Sequence, residues 1–295
     1  MTSRLRRSAG EGLERSCRGR DWVRGRAPVG GLELLEAWFE GQAFSRHRHD
    51  TYAIGVTDAG VQAFDYRGRV ERSLPGDVVV LHPDESHDGR AGAAGGFGYR
   101  IVYVEPARIA EAVRAIGGRP SPLPFVREPV SRNRALARAV TAAFRSGTEP
   151  LALDALVLQL AEGLLEGDPD SVPVAPVRRV DQAALARARA FLDDRRSVVR
   201  SSELEAVTGL NRYDLARQFR VQYATSPYRY SLMRRLDFAR AQLGDGAPLA
   251  DLALSAGFAD QAHFTRMFRA AYGLTPKRYA RLSADSKDGG GGRAC

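Results

Sequence analysis

A chain of 295 residues with 44% hydrophobic content has room for two domains of ordinary size, and no run of 18 apolar residues would carry it across a membrane. Two cysteines, Cys17 and Cys295, near the two ends, exclude a disulfide framework and a cysteine-based zinc site and fit a reducing cytoplasm. The formal charge of +9 is not evenly spread: residues 178–282 hold 19 Lys+Arg against 10 Asp+Glu, and the remainder holds 25 of each, so the excess sits where phosphate binding would need it.

In chain order, residues 1–26 carry eight arginines, no apolar core of a secretory signal and little periodicity. They read as a disordered basic tail, an over-extended start of the reading frame, or an arm that attracts DNA non-specifically. From Leu32 to Pro106 short β runs take over: LELLEAWF, TYAIGV, VQAFDY, DVVVL and YRIVYV, with Gly60, Gly68, Gly76 and Gly89 marking turns between them. Many short strands with brief loops predict a sandwich or small barrel.

Within these strands the spacing Gly41, His47, His49, Ala53, Gly60 resembles the first motif of the cupin barrel. Pro75-Gly76-Asp77 and the Pro83 to His87 run resemble its later parts. Metal-dependent cupins place a Glu where this chain has Ala53, so the anionic ligand is missing. Three neutral imidazoles could still hold zinc, nickel or iron. The competing readings are a metal-free ligand pocket and purely structural histidines. His47 and His49, two apart on a strand, share a face, which leaves Arg46, Arg48 and Asp50 on the opposite one. The expectation is that His47, His49, Tyr52 and His87 line a small-molecule pocket, with Phe64 and Tyr99 as further wall and no bound metal or other cofactor. Asp84 and Glu85 sit in a loop at its mouth.

Residues 108–116, 131–145 and 150–165 read as helices, the last two as an antiparallel pair. The Pro-rich GDPDSVPVAPVRR from Gly167 reads as a linker. Asp181 caps a helix to Asp194 with Leu185, Ala188 and Leu192 inward. Ser201 and Ser202 cap the next, Glu205 closing a capping box from Ser202. The closing KDGGGGRAC reads as a flexible tail.

Between 204 and 279 one pattern occurs twice. Leu204, Gly209, Leu210, Leu215, Phe219, Arg220, Tyr223, Ser226, Pro227 and Tyr230 match Leu252, Gly257, Phe258, Phe264, Phe268, Arg269, Tyr272, Thr275, Pro276 and Tyr279. The offset is 48 residues up to the turn and 49 after it, so one residue is inserted in the second turn. Each copy reads as a short helix, a turn and a longer helix. In the second, Leu252, Ala253 and Ala256 form a small apolar face, Gly257 breaks the helix and Asp260 caps the next. There Phe264, Phe268 and Ala271 face inward, with Gln261, His263, Arg266 and Arg269 off that stripe. Tyr228 to Leu243 forms one helix between the copies, with Pro227 in its first turn. Apolar helix backs with Gln, His and Arg outward suit entry into a DNA major groove.

Two helix-turn-helix units on a connecting helix resemble the DNA-binding domain of the AraC/XylS family of transcription regulators, and the second copy carries that family's GF pair, Gln-x-x-Phe-x-Arg-x-Phe run and Gly-x-Thr-Pro. Ala262 stands where a Ser is common, and Ala224 replaces a helix-ending Gly. A cupin-like sensor is that family's usual N-terminal half, so the two resemblances support each other. Together they imply an α+β protein: residues 27–166 as a cupin-like β-barrel with appended helices, 167–180 as linker, 181–282 as an all-α domain of two helix-turn-helix units, and 283–295 as tail. The resemblance implies that Arg212, Tyr213 and Arg217 on one recognition helix, and Gln261, His263 and Arg266 on the other, reach bases. Ser202, Arg220, Arg269, Lys277 and Arg278 hold phosphates.

Implied partners are double-stranded DNA and a small-molecule effector, with a second copy of the chain and RNA polymerase as further candidates; the paired helices serve either that second copy or core packing against the barrel, and no membrane is implied. The function so implied is a cytoplasmic, ligand-responsive, sequence-specific transcription regulator and not an enzyme. Two rival classes are a metal-dependent cupin enzyme fused to a DNA-binding domain and a DNA-repair alkyl-transfer protein, which needs a reactive cysteine in a folded site. A sensor half used only for dimerisation is a third.

Overall fold

The structure, a computed structural model, describes residues 17, 19–119, 121–145, 148–171, 176–177, 179–243 and 248–288. The chain divides into two compact units, residues 1–148 with 153–176 and residues 149–152 with 177–295.

The first unit is built on two antiparallel sheets. One holds β1 (Trp22–Val29), β2 (Leu32–Phe39), β4 (Tyr52–Gly60), β7 (Val78–Leu81), β9 (Phe97–Val104) and β10 (Val130–Ser131), in the order β1-β2-β9-β4-β7-β10. The other holds β3 (Gln42–His47), β5 (Gln62–Tyr66), β6 (Arg69–Ser73) and β8 (His87–Ala91), in the order β3-β8-β5-β6. The sheets face each other over Phe39, Ala53, Phe64, Tyr66, Phe97, Tyr99, Ile101 and Tyr103. No strand pairing joins one sheet to the other among the described residues, so the expected barrel is an open two-sheet cupin-like fold. Strands β2, β4 and β9 are apolar on both faces because α1 (Pro106–Gly117) and α2 (Arg134–Arg145) also belong to this unit, and α2 packs on β4 and β9. Helix α3 (Pro150–Gly167) meets α2 so closely that a Cβ on Gly163 would stand 2.6 Å from Leu136 Cδ2. Leu136 lies at the start of α2 and Gly163 near the end of α3, which makes the pair antiparallel as expected.

Five expectations for the ends and turns are corrected. Strand β1 begins at Trp22, inside the stretch read as a disordered tail, and pairs with β2 along its length. Cys17 is half-buried against the inter-sheet core; residues 1–16 and Cys295 lie outside the described residues. Gly89 is a strand residue, not a turn: the Phe44 ring from β3 packs on its bare Cα, where any Cβ would collide. The first residues of the expected linker are held to the first unit. Asp168 accepts from Phe125 N–H (3.0 Å), Asp170 pairs with Arg127 (2.8 Å) and Ser171 donates to the Leu165 carbonyl (2.7 Å). At the other end, the last helix runs to Asp288, into the stretch read as a flexible tail, whose final residues 289–295 are outside the described ones.

The second unit is all helix: α4 (Gln182–Asp194), α5 (Ser201–Thr208), α6 (Arg212–Tyr223), α7 (Pro227–Ala241), α8 (Leu249–Ser255), α9 (Gln261–Tyr272) and α10 (Pro276–Asp288). Caps set the boundaries. Asp181 accepts from Ala184 N–H, Asn211 from Tyr213 and Asp214 N–H, Ser226 from Arg229 N–H and Asp260 from His263 N–H. The start of α5 differs from expectation: Glu203 accepts from Arg200 N–H (2.8 Å), and Glu205 reaches forward to α6 instead. Each copy of the repeat closes its own core. Leu185, Leu192, Leu204, Leu215 and Phe219 form the first; Leu236, Leu252, Phe258, Phe264, Met267 and Phe268 form the second. Helix α7 serves both, Tyr228 and Tyr230 packing on the first and Leu232, Met233 and Phe238 on the second. Ala271, expected inward, is exposed, and Met267 takes that place on the stripe.

Candidate ligand pocket and nucleic-acid interface

His47 and His87 face each other as a cross-strand pair of β3 and β8, and His49 follows two residues on. Their ring centroids stand 4.5 Å (His47–His87), 4.9 Å (His49–His87) and 6.1 Å (His47–His49) apart, so three of the four expected pocket residues cluster. His49 and His87 are buried while Arg46, Arg48 and Asp50 are exposed, although β3 ends at His47 and His49 lies just beyond it. Desolvation pushes the His87 ring down to about 3, against the opposing pull of its bond to the Glu85 carbonyl; His49 is lowered by the same cause. The loop expected at the mouth is tied to this cluster, since Asp84 N–H donates to the His49 carbonyl (2.8 Å).

His87 lines a small hollow, its free space about 20 Å³, together with Phe44, Gln62, Phe64, Tyr99 and Tyr103. Phe64 and Tyr99 stand where expected. Tyr52 does not. It lies on the other face of β4 from Ala53, donates its hydroxyl proton to the Pro124 carbonyl (2.9 Å) and packs on His82 (5.3 Å). Sequence reasoning missed Tyr103, whose ring meets His49 edge-on at 5.2 Å. The signal was present in YRIVYV, where Tyr99, Ile101 and Tyr103 alternate onto one face. Ala53, at the place of the missing acidic ligand, is fully buried opposite Tyr103. Among the described residues no three His, Cys, Asp or Glu side chains are grouped as a metal site requires.

In the helical unit the expected DNA residues divide by exposure. Gln261, Arg266 and Arg269 lie on the open face of α9, beside Ala262 and Ala270; Ser202, Arg220, Lys277 and Arg278 are also exposed. Arg217 is half-buried. Two assignments are corrected: Tyr213 is 2% exposed and His263 6%, and both belong to the domain's interior. His263 turns inward because its ring packs edge-on against Phe258 (5.4 Å), and burial lowers its proton affinity. Arg212 is held by Glu205, which accepts from its Nε (3.1 Å) and from its backbone N–H (2.9 Å).

A residue not foreseen, Arg235 of α7, fixes the second turn. Its buried guanidinium donates to the Ala256 carbonyl (3.0 Å) and to that of Gly257, stacks over Phe258 (4.5 Å), and pairs with Glu149 of the same unit (2.8 Å). Gly257 cannot carry a side chain: its φ is +76°, and a Cβ would collide with the Arg196 carbonyl.

Comparison with known proteins adds the following. Residues 29–161 match the family model described as an AraC-like ligand binding domain, and residues 204–282 match a helix-turn-helix domain. An uncharacterized HTH-type transcriptional regulator of Bacillus subtilis (strain 168), YbfI, is 27% identical over 240 residues, 78% of this chain and 85% of that protein. The probable transcriptional regulator LumQ of Photobacterium leiognathi is 34% identical over 79 residues, 26% of this chain and 32% of its own length. A crystal structure of a probable AraC family transcriptional regulator from Rhodopseudomonas palustris covers 35% of this chain and 98% of its own, at 24% identity and a TM-score of 0.32.

Proposed function

We infer the action of this protein from one premise: the chain belongs to the AraC/XylS family of transcription regulators, with an AraC-like ligand-binding domain ahead of a helix-turn-helix domain. It is a ligand-responsive, sequence-specific DNA-binding regulator of transcription. Beyond that, we assign base reading to Gln261, Arg266 and Arg217, and phosphate holding to Ser202, Arg220, Arg269, Lys277 and Arg278. The exposed stripe of α9, backed by its own closed core, carries this reading.

We assign effector sensing to the hollow beside His47, His49 and His87. The protein acts there as a sensor and not as an enzyme, and its buried Ala53, where a metal cupin has a carboxylate, supports that choice. With DNA as its target, we assign it to the cytoplasm. The antiparallel pair α2 and α3 is the surface we assign to a second copy, and the DNA-bound protein is expected to meet RNA polymerase; both follow the family resemblance.

The test is a reporter assay paired with duplex binding. His49→Ala or His87→Ala should abolish the effector response while duplex affinity stays within about twofold. Equal loss of both would sink the division of labour. Stoichiometric zinc, nickel or iron in natively purified protein, lost in those variants, would overturn the metal-free reading.

A further inference from the structure

The three clustered histidines share one more feature. His47 Nδ1 meets the Ser45 carbonyl at 3.0 Å, His49 Nδ1 the Thr51 carbonyl at 2.9 Å, and His87 Nδ1 the Glu85 carbonyl at 3.0 Å. A carbonyl oxygen only accepts, so each Nδ1 must carry the proton. A neutral ring has one N–H, which leaves its Nε2 with a lone pair and nothing to donate. His82, outside the cluster, has the opposite arrangement: its Nε2 meets the Val126 carbonyl at 3.2 Å. The shared tautomer is therefore a property of the cluster and not of every buried histidine in the unit.

The lone pair on His49 Nε2 is buried and has no hydrogen-bond partner among the described residues. Its ring meets His87 and Tyr103, both of which line the hollow. A buried acceptor left unmatched costs free energy, which a ligand that brings a proton donor recovers. At these Nε2 atoms an anion brings only more lone pairs; its donors would have to be the Tyr99 and Tyr103 hydroxyls and the Gln62 amide. A metal ion competes for the same lone pairs, and an organic cation finds little charge to pair with. Asp88 is the one carboxylate lining the hollow among the described residues, and it already accepts from Asp65 N–H (2.8 Å) and Arg90 (3.0 Å).

Resting on the assignment of effector sensing to this hollow, we propose that its ligand is an uncharged molecule that donates hydrogen bonds to His49 Nε2 and His87 Nε2. The Phe44, Phe64, Tyr99 and Tyr103 rings supply the apolar wall for its carbon frame.

The test uses the full-length protein with 15N-labelled histidine, of which the chain has five. Long-range proton–nitrogen spectra at neutral pH report each tautomer directly. The expected result is Nδ1–H for His49 and His87 and Nε2–H for His82. An Nε2–H tautomer or a doubly protonated ring at His49 or His87 overturns the proposal. Two probes of matched shape, benzyl alcohol and benzoate, then separate ligand classes, with zinc chloride as the metal probe. Benzyl alcohol should move the Nε2 signals of His49 and His87 upfield, as accepting a hydrogen bond does, and benzoate should need at least about tenfold more for half the shift. Benzoate acting as strongly as the alcohol, or stoichiometric zinc capturing the Nε2 signals, would overturn the donor assignment and leave the pocket standing. If no probe moves any of the three rings, the pocket assignment itself falls, and the ligand class with it.

Discussion

At the scale of single residues, exposure separates the side chains that can reach DNA from those that build the helix. Arg266 and Lys277 are both exposed and carry different proposed tasks. Arg266→Ala should cost about 1–3 kcal/mol on the specific duplex and relax discrimination at one base step. Lys277→Ala should weaken specific and random duplexes alike. Titration of both variants against both duplexes checks this, and equal losses throughout would contradict the split. Tyr213 and His263 escaped sequence reading because burial on a helix depends on what arrives from elsewhere. For His263 the cover is the Phe258 ring, which precedes α9 and is not encoded in that helix's own periodicity. The pocket histidines make a prediction about stability. Burial holds His87 near 3 and lowers His49, while the unfolded rings titrate near 6.5. Between those values the unfolded chain binds more protons, so stability present above about pH 6.5 is lost as pH falls toward 3. The Tm should drop between pH 7 and pH 5, and His87→Asn should shrink that drop; an unchanged drop would point to other groups.

At the scale of elements, the helical half was legible nearly to the residue and the strands less so. Helix ends carry chemical punctuation, and Asp181, Asn211, Ser226 and Asp260 all cap helices. Strands β1, β3, β6 and β8 lack the dense apolar runs of β2, β4 and β9, because only one face of each is covered, and in β1 little more than Val23. A half-covered strand is mixed in composition and reads as loop or tail. The Glu205 pairing was out of reach for a similar reason: a Glu near a helix start suits a capping box equally well, and only the approach of α6 decides. The repeat itself exposes one imperfect cap. Gly273 ends α9 at φ +76°, whereas α6 ends on Ala224 at φ +54°, in the left-handed region that an L side chain resists. Ala224→Gly should raise stability by roughly 0.5–1 kcal/mol in denaturant unfolding, the relief of strain outweighing the added freedom of the unfolded chain. A loss instead would mean that the Ala side chain makes up for its own strain.

At the scale of the whole molecule, charge and chemistry are partitioned. The excess of nine positive charges belongs to residues 178–282, and the rest of the chain is neutral. Duplex affinity of the full-length protein should therefore fall steeply between about 50 and 200 mM salt, while any effector affinity stays nearly flat. Parallel titrations in salt check it, and a salt-insensitive duplex complex would mean that few phosphates are held. The two copies of the repeat are alike in their cores and unlike at their tips. Glu205 occupies Arg212 at the start of α6; at the matching positions of the second copy stand Ala253 and Gln261, the latter exposed. A carboxylate that shares an arginine takes half of its appetite for guanine. The operator should then be lopsided in information: a binding-site logo with tall, intolerant letters beneath α9 and low, permissive ones beneath α6, so that the family of sites this regulator can share is set mostly by one half of each.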